Sequence, residues 1–114
     1  MGNCYCADCQ RESGTGHITA VAVPDPTLTT TGETRDFDKP TDSGSHIRTT
    51  FCVVCGTTLF THPANLPGLA LLRAGTLDDK SAVVPQMNMY VASAPAWDRP
   101  PEGIPGFAGM APAG

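Results

Sequence analysis

The fold is decided by one stretch near the start of the chain, Cys4-Tyr5-Cys6-Ala7-Asp8-Cys9, which is matched later by Cys52-Val53-Val54-Cys55-Gly56. All five cysteines fall in these two segments, here called the early cysteine cluster (Cys4, Cys6, Cys9) and the late cysteine pair (Cys52, Cys55). Thiolates are soft ligands that suit zinc, and cysteines one or two residues apart close on one ion at little cost in loop entropy. The pattern therefore predicts a zinc protein whose five cysteines are metal ligands.

Two other interpretations of the cysteines are a disulfide framework and scattered buried thiols. The odd number of cysteines, their tight clustering and the lack of a secretory segment before Cys4 disfavour both. Gly56 follows the late pair directly and suits a zinc knuckle, where the backbone turns tightly and φ becomes positive. Thiols held by metal in a chain without an export segment predict a reducing, cytoplasmic location.

Size and composition restrict the class of protein. A chain of 114 residues predicts one domain, residues 1–114. Its 12 glycines and 11 prolines favour turns and short strands over long helices. The net charge of −4 and the absence of a Lys/Arg cluster argue against a nucleic-acid partner. No apolar run approaches the roughly 18 residues of a membrane span, so no membrane partner is expected.

Apolar alternation and β-branched residues predict a mainly β domain of several short antiparallel strands. The predicted strands are residues 17–23, 27–32, 34–39, 45–51, 57–61, 69–75 and 86–92. Phe37 is expected to point inward, and Thr76 to cap a helix or turn. Trp97 is expected to fill the core or to form the wall of a ligand cleft. The segment 102–114, rich in Gly, Pro and Ala, is expected to be an irregular tail.

Five segments of the chain resemble, in order and with matching intervals, the motifs of one known family. They are Cys4 to Gly14 (C-H-C-x-x-C-R-x-x-S-G), Phe51 to Phe60 (F-C-x-x-C-G-T-x-L), Ala74 to Asp79 (G-T-L-D-D), Val91 to Trp97 (V-x-S-x-x-P-W) and Ile104 to Phe107 (L-P-x-F). The family comprises the glutathione-dependent formaldehyde-activating enzymes and the centromere protein V-like proteins. The resemblance covers nearly the whole chain.

The resemblance implies a β-tent, a fold of short coiled antiparallel sheets around zinc. It also implies a carbon–sulfur lyase that joins glutathione, the small-molecule thiol partner, to formaldehyde as S-hydroxymethylglutathione. Family members carry a catalytic zinc held by three cysteines, onto which Cys4, Cys6 and Cys9 map. They also carry a structural zinc held by four cysteines, onto half of which Cys52 and Cys55 map.

The sequence departs from the family pattern at its start. The N-terminal hairpin that carries the other C-x-C pair is absent, and five thiols cannot fill a four-plus-three set. One explanation is that the protein begins upstream of this chain. The other is a reduced form with one zinc, in which Cys52 and Cys55 recruit two early cysteines into a closed structural site. One or two zinc ions per chain are therefore expected.

Two substitutions lie inside the early motif. Tyr5 replaces the family's His and is expected to pack instead of taking part in catalysis. Gln10 replaces an Arg and removes an anion contact that would hold a glutathione carboxylate.

Other polar residues have a functional and a simpler interpretation. His17 could act as a fourth metal ligand or as a proton shuttle. The simpler interpretation is an exposed residue at the start of a strand. His46 and His62 are expected to be solvated loop histidines. Three isolated arginines either bind an acidic tripeptide such as glutathione or are surface charges. They are Arg11, Arg48 and Arg73. Asp78 and Asp79 either form a helix cap or supply a general base.

Two function classes follow. The first is a zinc-dependent carbon–sulfur lyase acting on glutathione–formaldehyde adducts or a related thiol adduct. The second is a non-catalytic, zinc-stapled protein-binding module with a single structural zinc. Two zinc ions per chain, one of them removable by mild chelation, favour the enzyme. A homodimer is left open by the sequence.

Overall fold

The structure is a computed structural model that describes residues 1–41 and 44–110. In these residues it contains one α-helix, seven strands and four 3-10 turns, so the mainly β class is confirmed. The helix and strands are β1 (Gly2–Cys4), α1 (Ala7–Ser13), β2 (Ile18–Pro24), β3 (Thr34–Pro40), β4 (His46–Cys52), β5 (Thr58–Pro63), β6 (Leu69–Arg73) and β7 (Asn88–Met89). The strands are hydrogen-bonded in the single order β3-β4-β5-β6-β2-β1-β7, where the resemblance implies several short sheets.

Contacts divide the chain into two compact units. The terminal unit comprises residues 1–20 and the described part of 78–114, and the central unit comprises residues 21–77. Strand β2 passes from the first unit into the second. The expectation of one domain over residues 1–114 stays a prediction.

In the terminal unit, β1 lies between β2, which is antiparallel to it, and β7, which is parallel to it. Cys4, the last residue of β1, pairs with Ile18 on one side and Met89 on the other. Two buried asparagines, Asn3 on β1 (3% exposed) and Asn88 on β7 (1% exposed), join these two strands. The Asn3 amide nitrogen donates to the Asn88 side-chain oxygen at 3.0 Å. Buried amides satisfied in this way fix the strand register.

The segment after β7 is held by the backbone of β7. The Asn88 N–H donates to the carbonyl of Pro105 (2.8 Å), and the Phe107 N–H donates to the carbonyl of Asn88 (2.8 Å). The Tyr90 N–H donates to the carbonyl of Gly109 at 2.9 Å. Residues 102–110 therefore contain no strand or helix, as expected for the irregular tail, but are fixed by hydrogen bonds. Residues 111–114 of that tail lie outside the described residues.

In the central unit, β3, β4, β5 and β6 form an antiparallel meander. The register is regular except for an irregularity between Thr50 and Phe51 on β4. Phe60 on β5 and Ala70 on β6 are buried, as the alternation of apolar residues predicts. The predicted strands 34–39, 45–51 and 57–61 are confirmed within two residues at each end. Part of the turn expected at 40–44, residues 42 and 43, lies outside the described residues.

Three strand predictions are wrong or too long. The segment 27–32 is no strand, because the preceding Asp25–Thr27 forms a 3-10 turn and the chain then continues without a strand partner. The strand predicted at 86–92 shortens to β7, because a 3-10 turn at Val91–Ser93 follows it directly. The 69–75 strand ends at Arg73, where the turn Ala74–Thr76 begins.

Three side-chain expectations are corrected. Phe37 is 59% exposed, because it lies on β3, the last strand in the order, whose residues are all exposed except Lys39. Trp97 is 71% exposed and does not fill the core. Thr76 ends a 3-10 turn and donates its hydroxyl to the Arg73 carbonyl, so it is not a cap. The cap is Asp79, whose carboxylate accepts from the Ser81 N–H.

Candidate metal centre

The early cysteine cluster lies where β1 gives way to α1. Cys4 is the last residue of β1, Cys6 is the N-cap of α1, and Cys9 lies in its first turn. Because residues three apart on a helix share a face, the Cys6 and Cys9 sulfurs lie side by side. The ligand atoms of all three cysteines lie within 4.8 Å of one another.

Cys6 takes the position that Ser, Thr, Asp or Asn usually occupies at a helix start. Its Sγ accepts a hydrogen bond from the Cys9 N–H at 3.4 Å. The other end of α1 is closed by Gly14, which has φ 74° and donates its N–H to the Gln10 carbonyl. A helix of seven residues is marginal by itself, so both caps are needed to hold Cys9 against Cys6.

The three thiols share protons unequally. The pKa of Cys6 is lowered because its sulfur accepts hydrogen bonds from the Cys4 and Cys9 thiols. The hydrogen bond to Cys6 raises the pKa of Cys4 to about 11. The pKa of Cys9 is also raised, because it shares its proton first with Cys4 and then with Cys6. A metal that binds all three sulfurs as thiolates therefore displaces the protons that the cluster shares.

The cluster fits a thiolate-bound metal ion. A tetrahedral zinc with bonds of about 2.3 Å places its sulfurs about 3.8 Å apart, and the three sulfurs here all lie within 4.8 Å of one another. Three ligands leave a fourth position for water or substrate. Across residues 1–41 and 44–110, this is the only group of three or more Cys, His, Asp or Glu ligand atoms that lie this close together.

Tyr5 packs under the cluster, as predicted for the residue that replaces the family's His. It is 1% exposed, and its ring stacks on that of His17 with centroids 4.8 Å apart. The His17 Nδ1 hydrogen-bonds the Asp98 carboxylate at 2.6 Å. His17 is therefore half-buried, so its interpretation as an exposed residue is corrected, while a role as fourth ligand or proton shuttle stays a prediction. A Cβ at Gly16 would overlap the Asp98 side chain, so only glycine allows this approach.

Gln10 holds the chain around the cluster. Its amide nitrogen donates to the carbonyl of Tyr5 (2.8 Å) and to that of Ser93 (2.9 Å). The substitution of Arg by Gln thus replaces a charge with a link between α1 and the loop after β7. Arg11 forms an ion pair with Asp8 on the same helix at 2.9 Å.

Tyr90 is a residue that sequence reasoning missed. It directly follows Met89, the strand partner of Cys4, and has φ 57° and ψ 40°. Among the described residues it is the only one other than glycine with a positive φ. Burial raises the pKa of Tyr90, and the negative charges of Cys4, Cys6 and Cys9 raise it further. A left-handed backbone conformation at a residue other than glycine is often found at functional sites. No local sequence signal predicts this conformation for Tyr90.

The late cysteine pair, in the central unit, lies on the turn between β4 and β5. Cys52 ends β4 and is half-buried, whereas Cys55 is exposed. Gly56 has φ 76° and donates its N–H to the Cys52 carbonyl at 2.8 Å, so the knuckle-shaped turn is confirmed. The Cys55 sulfur lies 3.1 Å from the Thr57 hydroxyl, and this hydrogen bond lowers the pKa of Cys55. The roles of Cys52 and Cys55 as metal ligands stay predictions.

The remaining polar residues are placed differently from the sequence expectation. His46 and His62 lie on β4 and β5 and not in solvated loops, and His62 Nε2 hydrogen-bonds the Asp25 carboxylate at 2.7 Å. The Nε of Arg48 lies 3.8 Å from Asp36. Arg73 is half-buried at the end of β6, and Asp78 is exposed.

These features define a class of protein: a small, mainly β chain with a three-cysteine group able to hold a metal ion. The model of the family "Glutathione-dependent formaldehyde-activating enzyme" matches residues 1–93. The chain belongs to this family, which associates it with glutathione- and formaldehyde-related activity. No curated protein is similar enough to count as a match. None of the described helices has the length and apolar character needed to cross a membrane.

Proposed function

We propose that the protein is a zinc-dependent carbon–sulfur lyase that forms and cleaves S-hydroxymethylglutathione or a related thiol adduct. Zinc held by Cys4, Cys6 and Cys9 is the proposed cofactor. The observation that carries the proposal is the convergence of these three sulfurs within 4.8 Å, in a chain of this family. Cys52 and Cys55 are proposed as ligands of structural zinc.

The chemistry suits a thiolate site. Zinc, when bound, supplies a Lewis acid that lowers the pKa of a thiol or polarises a carbonyl oxygen. In the cleavage direction the hydroxymethyl O–H proton passes to the leaving sulfur, a C=O bond forms, and the C–S bond breaks, which releases formaldehyde and a thiol. Three thiolates give the site a net charge of −1, which favours thiol exchange over strong activation of water.

The Tyr90 hydroxyl is the proposed proton donor to the carbonyl oxygen when the adduct forms, since Tyr90 directly follows Met89, the strand partner of Cys4. Burial and the charges of the early cysteines raise the pKa of Tyr90. A phenol O–H stabilises an oxygen that gains negative charge by donating a hydrogen bond to it. The backbone of Tyr90 is fixed on both sides, since its N–H donates to the Gly109 carbonyl and its carbonyl accepts from the Ser93 N–H.

The metal-ligand assignment is tested with Cys9→Ser. We expect this variant to lose the zinc of the early cluster, and the rate of adduct formation from glutathione and ¹³C-formaldehyde to fall at least about 100-fold. Zinc is counted by mass spectrometry, and the rate is followed by NMR exchange. Ser13→Ala, an exposed change on the same helix, is the control.

A folded Cys9→Ser protein with unchanged zinc content would exclude Cys9 as a ligand. A wild-type protein that binds zinc at the early cluster without accelerating the exchange would refute the lyase proposal. That outcome would favour the protein-binding module.

Tyr90→Phe tests the proton donor. General acid catalysis contributes about 10²- to 10⁴-fold, so we expect kcat to fall at least about tenfold with zinc content unchanged. Tyr5→Phe is the matched control, because that ring is buried in packing and its loss of a hydroxyl should leave kcat unchanged. Equal rates for wild type and Tyr90→Phe would remove Tyr90 from the reaction.

A further inference from the structure

The central unit contains a pocket of about 370 Å³ that the proposed reaction does not use. Its polar lining comprises Asp25, Asp38, His46, Arg48 and His62. Its apolar lining comes from the end of β5, the start of β6 and the loop between them, and includes Pro63, Leu66 and Leu69. A cavity of this size, with an apolar wall and a few convergent polar groups, is typical of small-molecule sites.

The polar groups are aligned by strand register. Asp38 on β3 lies directly opposite Arg48 on β4, and Arg48 lies directly opposite His62 on β5. Residues opposite one another on neighbouring strands point to the same face of a sheet. His46, two residues before Arg48, lies on that face as well. We call these four residues the charged row.

The row places an anion directly opposite a cation. Asp38 is an anion, Arg48 is a permanent cation, and His62 is held by the Asp25 carboxylate at 2.7 Å. Asp38 and Arg48 are direct neighbours on strands that lie about 4.8 Å apart, so a carboxylate and a guanidinium stand side by side on one face of the sheet. A ligand that carries an ammonium and a carboxylate on the same carbon can contact both groups.

Several groups of the row are incompletely paired. Within the part of the chain that the structure describes, neither the Asp38 carboxylate nor the His46 ring has a side-chain hydrogen-bond or ion-pair partner. Arg48 has one long contact, 3.8 Å to Asp36. Buried His62 Nδ1 has no hydrogen-bond partner among the described residues. Polar groups that converge on a cavity without partners are available to a ligand.

We propose that this pocket binds a small zwitterion that carries an α-amino acid group, with its ammonium on Asp38 and its carboxylate on Arg48. The apolar wall accommodates the rest of the ligand. The free amino acid and the amino-acid end of a γ-linked peptide share this chemistry. The site does not depend on the cysteines or on the proposed lyase activity.

The test uses the full-length, zinc-loaded protein and four probes. L-alanine carries both charges, acetate and ethylammonium carry one each, and γ-glutamylglycine carries the same group on a peptide without a thiol. Binding is measured from the chemical shifts of the Arg48 side chain and of the backbone amides of β3 to β5. We expect saturable shifts with alanine or γ-glutamylglycine, and about tenfold weaker binding of acetate and ethylammonium.

Two variants test the contacts. Asp38→Asn and Arg48→Gln are exposed changes that should fold, and each should weaken binding of the zwitterion at least about tenfold. Arg35→Gln, on the opposite face of β3, is the matched control and should bind as the wild type does. Tighter binding of γ-glutamylglycine than of alanine identifies the peptide as the source, and the reverse identifies the free amino acid.

Three results would overturn the proposal: no saturable shift with either zwitterion, equal binding of acetate and alanine, or wild-type affinity in both Asp38→Asn and Arg48→Gln. Because no probe contains a thiol, these results leave the lyase proposal unaffected. Conversely, loss of lyase activity in Cys9→Ser should leave binding of alanine unchanged.

Discussion

The two cysteine segments contain the same C-x-x-C spacing, Cys6 to Cys9 and Cys52 to Cys55, yet the chain gives them different environments. In the early cluster the spacing spans the first turn of a helix, and a third sulfur from β1 completes a half-buried group. In the late pair it spans a hairpin turn, and Cys55 is exposed next to Thr57. The backbone that follows the motif, and not its spacing, therefore decides whether sulfurs converge or stand open to solvent.

The largest expected effect comes from replacing a cysteine of each segment, which distinguishes a structural role of the late pair from a catalytic role of the early cluster. We expect Cys52→Ser to unfold or aggregate, because structural zinc contributes roughly 10 kcal/mol or more to folding. Cys6→Ser should lose the zinc of the early cluster and the activity. Thermal denaturation followed by circular dichroism, with a zinc count on both proteins, measures the difference. A Cys52→Ser protein with the wild-type melting temperature would show that the late pair does not stabilise the fold through bound zinc.

A smaller effect is expected in the pH dependence of the metal-free protein. A raised pKa means that folding favours the protonated thiol, so Cys4 stabilises the folded state fully below pH 9. This stability is lost as the pH rises through the folded pKa of about 11. The loss should be about 1 to 2 kcal/mol between these values.

Urea denaturation of the chelated protein at pH 8.5 and at pH 11 measures this loss. Cys4→Ser should lose that part of the pH dependence, whereas Cys55→Ser should keep it. An identical pH profile for Cys4→Ser and the wild type would contradict the unequal sharing of protons in the early cluster.

The smallest effect concerns thiol reactivity. In the metal-free protein Cys55 should be alkylated by iodoacetamide faster than Cys4 and Cys9, because it is exposed and its pKa is lowered by Thr57. Thr57→Val should slow alkylation of Cys55 severalfold without changing the rates of the early cysteines. Peptide mass spectrometry after timed labelling gives each rate. Faster labelling of Cys4 than of Cys55 would reverse the comparison.

The strands of the central unit could be predicted because their residues alternate between two environments. Ile47 is half-buried and Arg48 exposed, as the period of two requires. Helix α1 could not be predicted, since its sequence has no apolar stripe and its N-cap is a cysteine sulfur, Cys6. The exposure of Phe37 depends on which strand ends the sheet, and that order is set by pairings between distant segments.

The candidate site likewise combines features that could be predicted from the sequence with features that could not. Convergence of Cys4, Cys6 and Cys9 follows from local spacing, which the sequence displays. The position of Tyr90 depends on the pairing of β7 with β1 across more than eighty residues of sequence, and on a backbone conformation that tyrosine rarely adopts. The charged row was missed because it is a property of the register across three strands, and none of its members is unusual alone.

The parallel pairing of Cys4 with Met89 has a consequence for biosynthesis. The early cysteines are synthesised about eighty residues before Asn88 and Met89, which hold β1 in place by strand pairing. Since domains generally fold as units once their chain is complete, the nascent protein exposes three neighbouring thiols until β7 has been made. Metal loading and folding of the terminal unit are therefore expected to follow the synthesis of β7, and the supply of zinc during translation should affect the yield of the folded protein.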